Sequence, residues 1–98
     1  MKIHLRQNEQ VIKAADARYF NNSEVDGKLI LTNQGLYFKC DDLLHNLDLP
    51  FAAISEAIPY KTKWFSNNGL AIIKSTGRAY KFSLKKRNGF CELLNSKI

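Results

Sequence analysis

Gly27-Lys28-Leu29-Ile30-Leu31-Thr32-Asn33-Gln34-Gly35-Leu36-Tyr37-Phe38-Lys39 is the stretch on which the fold turns. Leu29 and Leu31 stand two apart, as do Leu36 and Phe38, so each pair falls on one face of a strand. Asn33-Gln34-Gly35 between them is turn chemistry, and Thr32-Asn33 offer side-chain oxygens to cap it. The stretch from Val25 to Lys39 therefore predicts an antiparallel hairpin, with Gly27 and Gly35 freeing the backbone at strand ends.

Outward from the hairpin the same period continues. His45, Leu47, Leu49 and Phe51 alternate with Asn46, Asp48 and Pro50, and Pro50, which has no N–H for a ladder, marks the strand's end. Ile54, Ile58 and Tyr60 repeat the alternation through Lys61. Leu70–Ser75 and Arg78–Leu84 form a second hairpin about Thr76-Gly77, with Tyr80, Phe82 and Leu84 inward and Lys81 and Ser83 outward. From Lys86 the period changes: Phe90, Leu93 and Leu94 lie at i, i+3 and i+4, which predicts a short amphipathic helix. Upstream, Val11 to Tyr19 is the weakest strand, because Ala14, Ala15 and Ala17 blur its faces. The sum is mainly β: about seven antiparallel strands that must curl into a small barrel or two packed sheets to keep their apolar face dry, with one C-terminal helix over the open end.

The 98 residues are read as one domain, 1–98, with 45% hydrophobic and 24% charged residues, a globular composition. The longest apolar runs, such as Leu70 to Ile73, fall far short of the roughly 20 residues of a membrane-spanning helix. Polar residues interrupt Met1-Lys2-Ile3-His4-Leu5-Arg6, so no secretion signal is read there and the expected compartment is cytoplasmic. Cys40 and Cys91 form no CxxC pair and are expected to be reduced thiols acting as small hydrophobes. Fifteen Lys and Arg against nine Asp and Glu give a net charge of +6, which favours phosphate-bearing partners.

Several phrases, in order, resemble the GRAM branch of the PH-domain superfamily. Leu5 followed by Glu9, Val11 and Ile12 is similar to the family's opening, and Gly27-Lys28-Leu29-Ile30-Leu31-Thr32-Asn33 resembles its "G-x-L-x-L-T-N" signature. Gly35-Leu36-Tyr37-Phe38, Leu47-Asp48-Leu49-Pro50-Phe51 with Ile54, Asn68-Gly69-Leu70-Ala71-Ile72 and Tyr80-Lys81-Phe82 continue the likeness. Phe90 stands where the family usually has a tryptophan. The resemblance implies a PH-like partly open barrel whose relatives bind membrane lipids, often phosphoinositides, or dock onto proteins. It implies no chemistry and no cofactor.

The residues themselves agree. No nucleophile with a base, convergent carboxylates or metal-ligand spacing is present; Asp41-Asp42 reads as a solvated turn and His45 as a strand residue. Lys61, Lys63, Trp64 and Phe65 form the first binding candidate, since a lysine can reach phosphate while an adjacent aromatic enters the headgroup region. The competing reading packs that aromatic pair into the barrel mouth. Lys85, Lys86 and Arg87 form the second, with Lys74, Arg78 and Lys81 in the preceding hairpin, either as one patch or as two. Expected partners are an anionic membrane surface, which would place the chain peripherally at the membrane, or a protein, with a homo-oligomer through paired apolar faces as a third reading. Nucleic acid is disfavoured, because alternation turns most aromatics inward and no RRM, KH or helix-turn-helix pattern is present.

Overall fold

A computed structural model describes residues 5–21, 23–42, 45–62 and 66–98. Its strands are β1 (Val11–Phe20), β2 (Glu24–Thr32), β3 (Gly35–Lys39), β4 (Leu47–Pro50), β5 (Ile54–Thr62), β6 (Ser66–Lys74) and β7 (Ala79–Ser83), followed by helix α1 (Arg87–Asn95). They form one antiparallel sheet in the order β4-β3-β2-β1-β7-β6-β5. The outermost strands, β4 and β5, do not pair with each other, so the sheet is curled but open along one side.

The curl is driven by apolar residues of both halves that share one core. Leu29, Leu31, Leu36 and Phe38 pack with Leu70, Ile72 and Phe82, and Phe90 and Leu94 of α1 close it. Tyr19, at the end of β1, bridges the halves: its ring lies 5.4 Å from Phe38 and 5.1 Å from Phe82, within the range where aromatic pairs add to simple burial. Phe90 is fully buried, occupying the helix's core position with a smaller ring than tryptophan.

The turn of the first hairpin works as its residues predict. Thr32 Oγ1 accepts the N–H groups of Gln34 and Gly35 at 3.0 and 3.1 Å, and Asn33 Oδ1 accepts that of Gln10 at 2.8 Å. The two glycines have a different reason from the one expected. Neither Gly27 nor Gly35 has a left-handed φ; a Cβ at Gly27 would collide with the Lys39 carbonyl and the Phe38 ring, and one at Gly35 would lie 2.6 Å from the Leu49 carbonyl. Close approach of neighbouring strands, rather than backbone freedom, selects glycine there. Gly77, with φ +94°, is the position that needs the freedom.

Two side chains depart from the alternation. Ile58 is 40% exposed and Ala57 is the buried residue instead, because a bulge between Ile54 and Glu56 shifts β5 by one residue relative to β6. His45 lies before β4, with Nδ1 2.8 Å from the Asp42 carboxylate, so the fourth strand starts at Leu47.

Helix α1 lies against β5 and β6 and buries Arg87, Phe90, Cys91 and Leu94. Near its end the Asn95 carboxamide copies a peptide group: Nδ2 donates to Ala57 O at 3.1 Å and Oδ1 accepts from Ala57 N at 3.2 Å. Pro59, two residues on, has no N–H to offer. The outer edge of β5 is thus blunted twice against pairing with another strand.

Candidate functional site

Charge is unevenly divided along the chain. Residues 51–98 carry nine of the fifteen Lys and Arg but only Glu56 and Glu92 as acids, a net of +7, while residues 1–50 hold six basic and seven acidic residues, a net of −1. The first four strands also neutralise themselves in space. Asp16 pairs with Lys28 at 3.2 Å, Asp26 and Glu24 with Arg18 at 2.9 and 3.2 Å, and Asp48 with Arg6 at 2.8 Å. The excess positive charge therefore belongs to residues 51–98, on β5, β6, β7 and α1 and the segments that join and follow them.

Within that half the predicted residues separate into two groups. Leu84 N donates to Asn68 O, which brings Lys85 and Lys86, both exposed, beside the start of β6. Tyr60 pairs with Gly69 one residue further along, so the exposed Lys61 lies at the same end of the sheet. Lys63, Trp64 and Phe65 fall in the β5–β6 connection and lie outside the described residues. Lys81 reaches over the Tyr60 ring, 6.0 Å from its centroid, and adds to this end.

Lys74 and Arg78 stand at the other end of the hairpin, where Lys74 N donates to Arg78 O. Six residues of strand separate Asn68 from Lys74, roughly 20 Å, which exceeds the Debye length of about 8 Å at physiological salt. Among the described residues the predicted basic side chains thus fall into two groups, and Arg78 is partly engaged by the Tyr80 ring, 5.0 Å from its guanidinium.

Arg87 does not join the surface. It is 5% exposed, and its Nη1 donates to the carbonyls of Tyr60 and Gly69 at 2.9 and 2.6 Å, while Nε has no hydrogen-bond partner. The predicted anion-binding role is corrected: Arg87 fastens the first turn of α1 to β5 and β6, and so fixes where Lys85 and Lys86 sit. Lys86 itself is held in a left-handed conformation, φ 56°, at the helix N-cap, where no side chain caps the helix.

A second buried ion is Glu9, which the sequence marks as part of the family-like opening but not as buried among Arg6-Gln7-Asn8-Glu9-Gln10. Its carboxylate accepts from the Tyr37 hydroxyl at 2.7 Å, the Thr32 hydroxyl and the Arg6 N–H at 2.8 Å, with the Arg6 guanidinium 3.6 Å away. Burial alone would push its pKa up, but the hydrogen bonds from Thr32, Arg6 and Tyr37 outweigh it and hold the group below its usual value. Burial and the Glu9 bond push Tyr37 up to about 12. Cys40 and Cys91 are buried free thiols whose pKa values burial raises. Among the described residues no group of His, Cys, Asp and Glu is placed to hold a metal ion, and no helix is long and apolar enough to cross a membrane.

The architecture matches known structures across most of the chain. The C-terminal domain of an unknown protein from Leishmania infantum superposes with a TM-score of 0.82 at 14% identity, covering 93% of this chain and 85% of that one. The N-terminal PH domain of Vps36 gives 0.71 at 17% identity, covering 96% and 82%. The PH domain of Slm1 in complex with phosphoserine gives 0.71 at 15%, covering 89% and 94%, and the same domain is also known in complex with inositol 4-phosphate. Among curated proteins none matches the chain. The GRAM domain model matches residues 1–97, and the chain is therefore a member of the GRAM domain family with a PH-like fold.

Proposed function

We propose that this GRAM domain is a non-catalytic binding module that docks peripherally on an anionic membrane surface through the basic end formed by Lys61, Lys81, Lys85 and Lys86. The observation that carries the reading is the charge division, a net of +7 on residues 51–98 against −1 on the rest. Basic residues near an anionic leaflet each contribute about 1 kcal/mol, so a cluster of four gives useful but reversible attachment. Lys63, Trp64 and Phe65, in the connection that joins Lys61 to β6, are assigned as the element that enters the headgroup layer. Lys74 and Arg78 form a weaker secondary contact. The Slm1 PH domain, similar in fold, is a precedent for phosphate-ester recognition on this scaffold.

Co-sedimentation with neutral and anionic vesicles tests the reading. The domain should pellet with anionic vesicles only, and less so as salt rises. Reversing Lys85 and Lys86 to Glu, both exposed, should weaken binding by more than about tenfold, since each charge is worth about 1 kcal/mol. Changing Lys63 and Trp64 to Ala should weaken it further. Equal binding to neutral vesicles, or none to either, would overturn the proposal.

A further inference from the structure

β1 pairs with β2 along its length, but β7 meets it only at Arg18, Tyr19 and Phe20 before the chain leaves the sheet for α1. The ladder tells which groups this leaves over. Leu84 N bonds Asn68 O and Lys74 N bonds Arg78 O, so even-numbered residues of β6 and β7 face each other and the odd-numbered residues of β7 face β1. Ser83 then bonds Arg18 and Lys81 bonds Phe20, and the N–H and C=O groups of Ala14 and Asp16 point out of the sheet. Among the described residues no backbone pairs with them.

An open cleft of about 640 Å³ occupies the place beside them, with Ala15, Ala17, Gly27, Asn68, Leu84 and Lys85 among its walls. The side chains that β1 turns to it from its inward face, Ala15 and Ala17, are small. Asp16 and Arg18, which also border it, are engaged with Lys28 and with Asp26 and Glu24. Lys13, on the same face as Ala15 and Ala17, and Lys85 at the far corner have no carboxylate partner among the described residues. Val11 and Ile12, at the open end of the edge, are 48% and 40% exposed.

We propose that the β1 edge from Ile12 to Asp16 docks one extended segment of a partner protein, added to the sheet as a strand antiparallel to β1. Its apolar side chains cover Ala15 and Ala17, and acidic residues meet Lys13 and Lys85. The corner at Leu84 and Lys85 closes one side of the cleft, which fits a single strand, and the net charge of +6 opposes a second copy of this chain. This surface overlaps that of the membrane reading at Lys85.

The test uses amide exchange in the ¹⁵N-labelled chain and a defined probe, the acetylated and amidated peptide Glu-Leu-Thr-Leu-Thr-Glu. In the free chain the amides of Ala14 and Asp16 should exchange as fast as those of loops, while Ala15 and Ala17, bonded to β2, are protected. Adding the probe should slow exchange at Ala14 and Asp16 and shift their resonances. Ala14→Pro, which removes an N–H that no ladder uses, should weaken the probe about tenfold, the loss of roughly one hydrogen bond, with vesicle binding retained as the control for folding. Ala14→Ser should bind like the parent. Protected Ala14 and Asp16 amides in the free chain would overturn the proposal, as would no binding at millimolar probe, shifts confined to other strands, or equal binding of the peptide with Lys in place of both Glu residues.

Discussion

Among the described residues Glu9 and Arg87 are the buried ions of the two halves of the chain, and they are held in opposite ways. Glu9 is met by donors on both oxygens, from Tyr37 and Thr32 of the first hairpin and from Arg6 of its own segment. Among the described residues Arg87 finds backbone carbonyls alone, at Tyr60 and Gly69, and leaves Nε unpaired. The difference follows from the company each keeps. The first half supplies hydroxyls and a guanidinium around a carboxylate, whereas in the second half the acceptors that meet Arg87 are main-chain carbonyls. With Glu56 and Glu92 as its acids, that half also carries a net charge of +7.

Removing Glu9 should do the most damage. Glu9→Ala strands the Tyr37 and Thr32 hydroxyls and unpairs Arg6, and should cost about 3–5 kcal/mol in urea unfolding, with Glu9→Gln milder. Titration reaches the same network. Because the folded pKa of Glu9 lies below its ordinary 4.5, its contribution is present above that value and fades as pH falls below it. Tyr37, raised from 10.0 to about 12, stabilises fully below pH 10 and loses its contribution as pH climbs toward 12. In Glu9→Gln the acid limb of the stability profile should flatten; an unchanged limb would break the assignment.

Arg87→Met should cost less, about 2 kcal/mol, since it removes the donors to two carbonyls but also the orphaned Nε and keeps an apolar stem. If it matched Glu9→Ala, the contrast between a saturated and an under-satisfied buried ion would fail. The smallest effect belongs to Asn95→Ala, about 1 kcal/mol for the lost bonds to Ala57. Light scattering adds a sharper reading of that variant: the exposed β5 edge should raise self-association, with Pro59 limiting how far it goes.

The hairpin, the second hairpin and the C-terminal helix were legible because each depends on neighbours in sequence: alternation of two for Leu29, Leu31, Leu36 and Phe38, and spacing of three and four from Phe90 to Leu93 and Leu94. The lysines at 61, 85 and 86 were legible as surface charge for the same reason. Ile58 misled because the bulge between Ile54 and Glu56 shifts the register and turns Ala57 inward in its place, and no residue in β5 announces it.

Sequence by itself determined the element order, the turn at Thr32-Asn33 and the excess of positive charge. Tertiary structure decided which charges are buried. Glu9 sits in a polar run and Arg87 in a basic one, and neither run marks its ion as buried. Each is buried by partners distant in sequence, Glu9 by Thr32 and Tyr37, 23 and 28 residues away, and Arg87 by Gly69 and Tyr60, 18 and 27 residues away. The burial of a charge is set by the donors and acceptors that folding gathers around it, and those are fixed only when strands far apart in the chain meet.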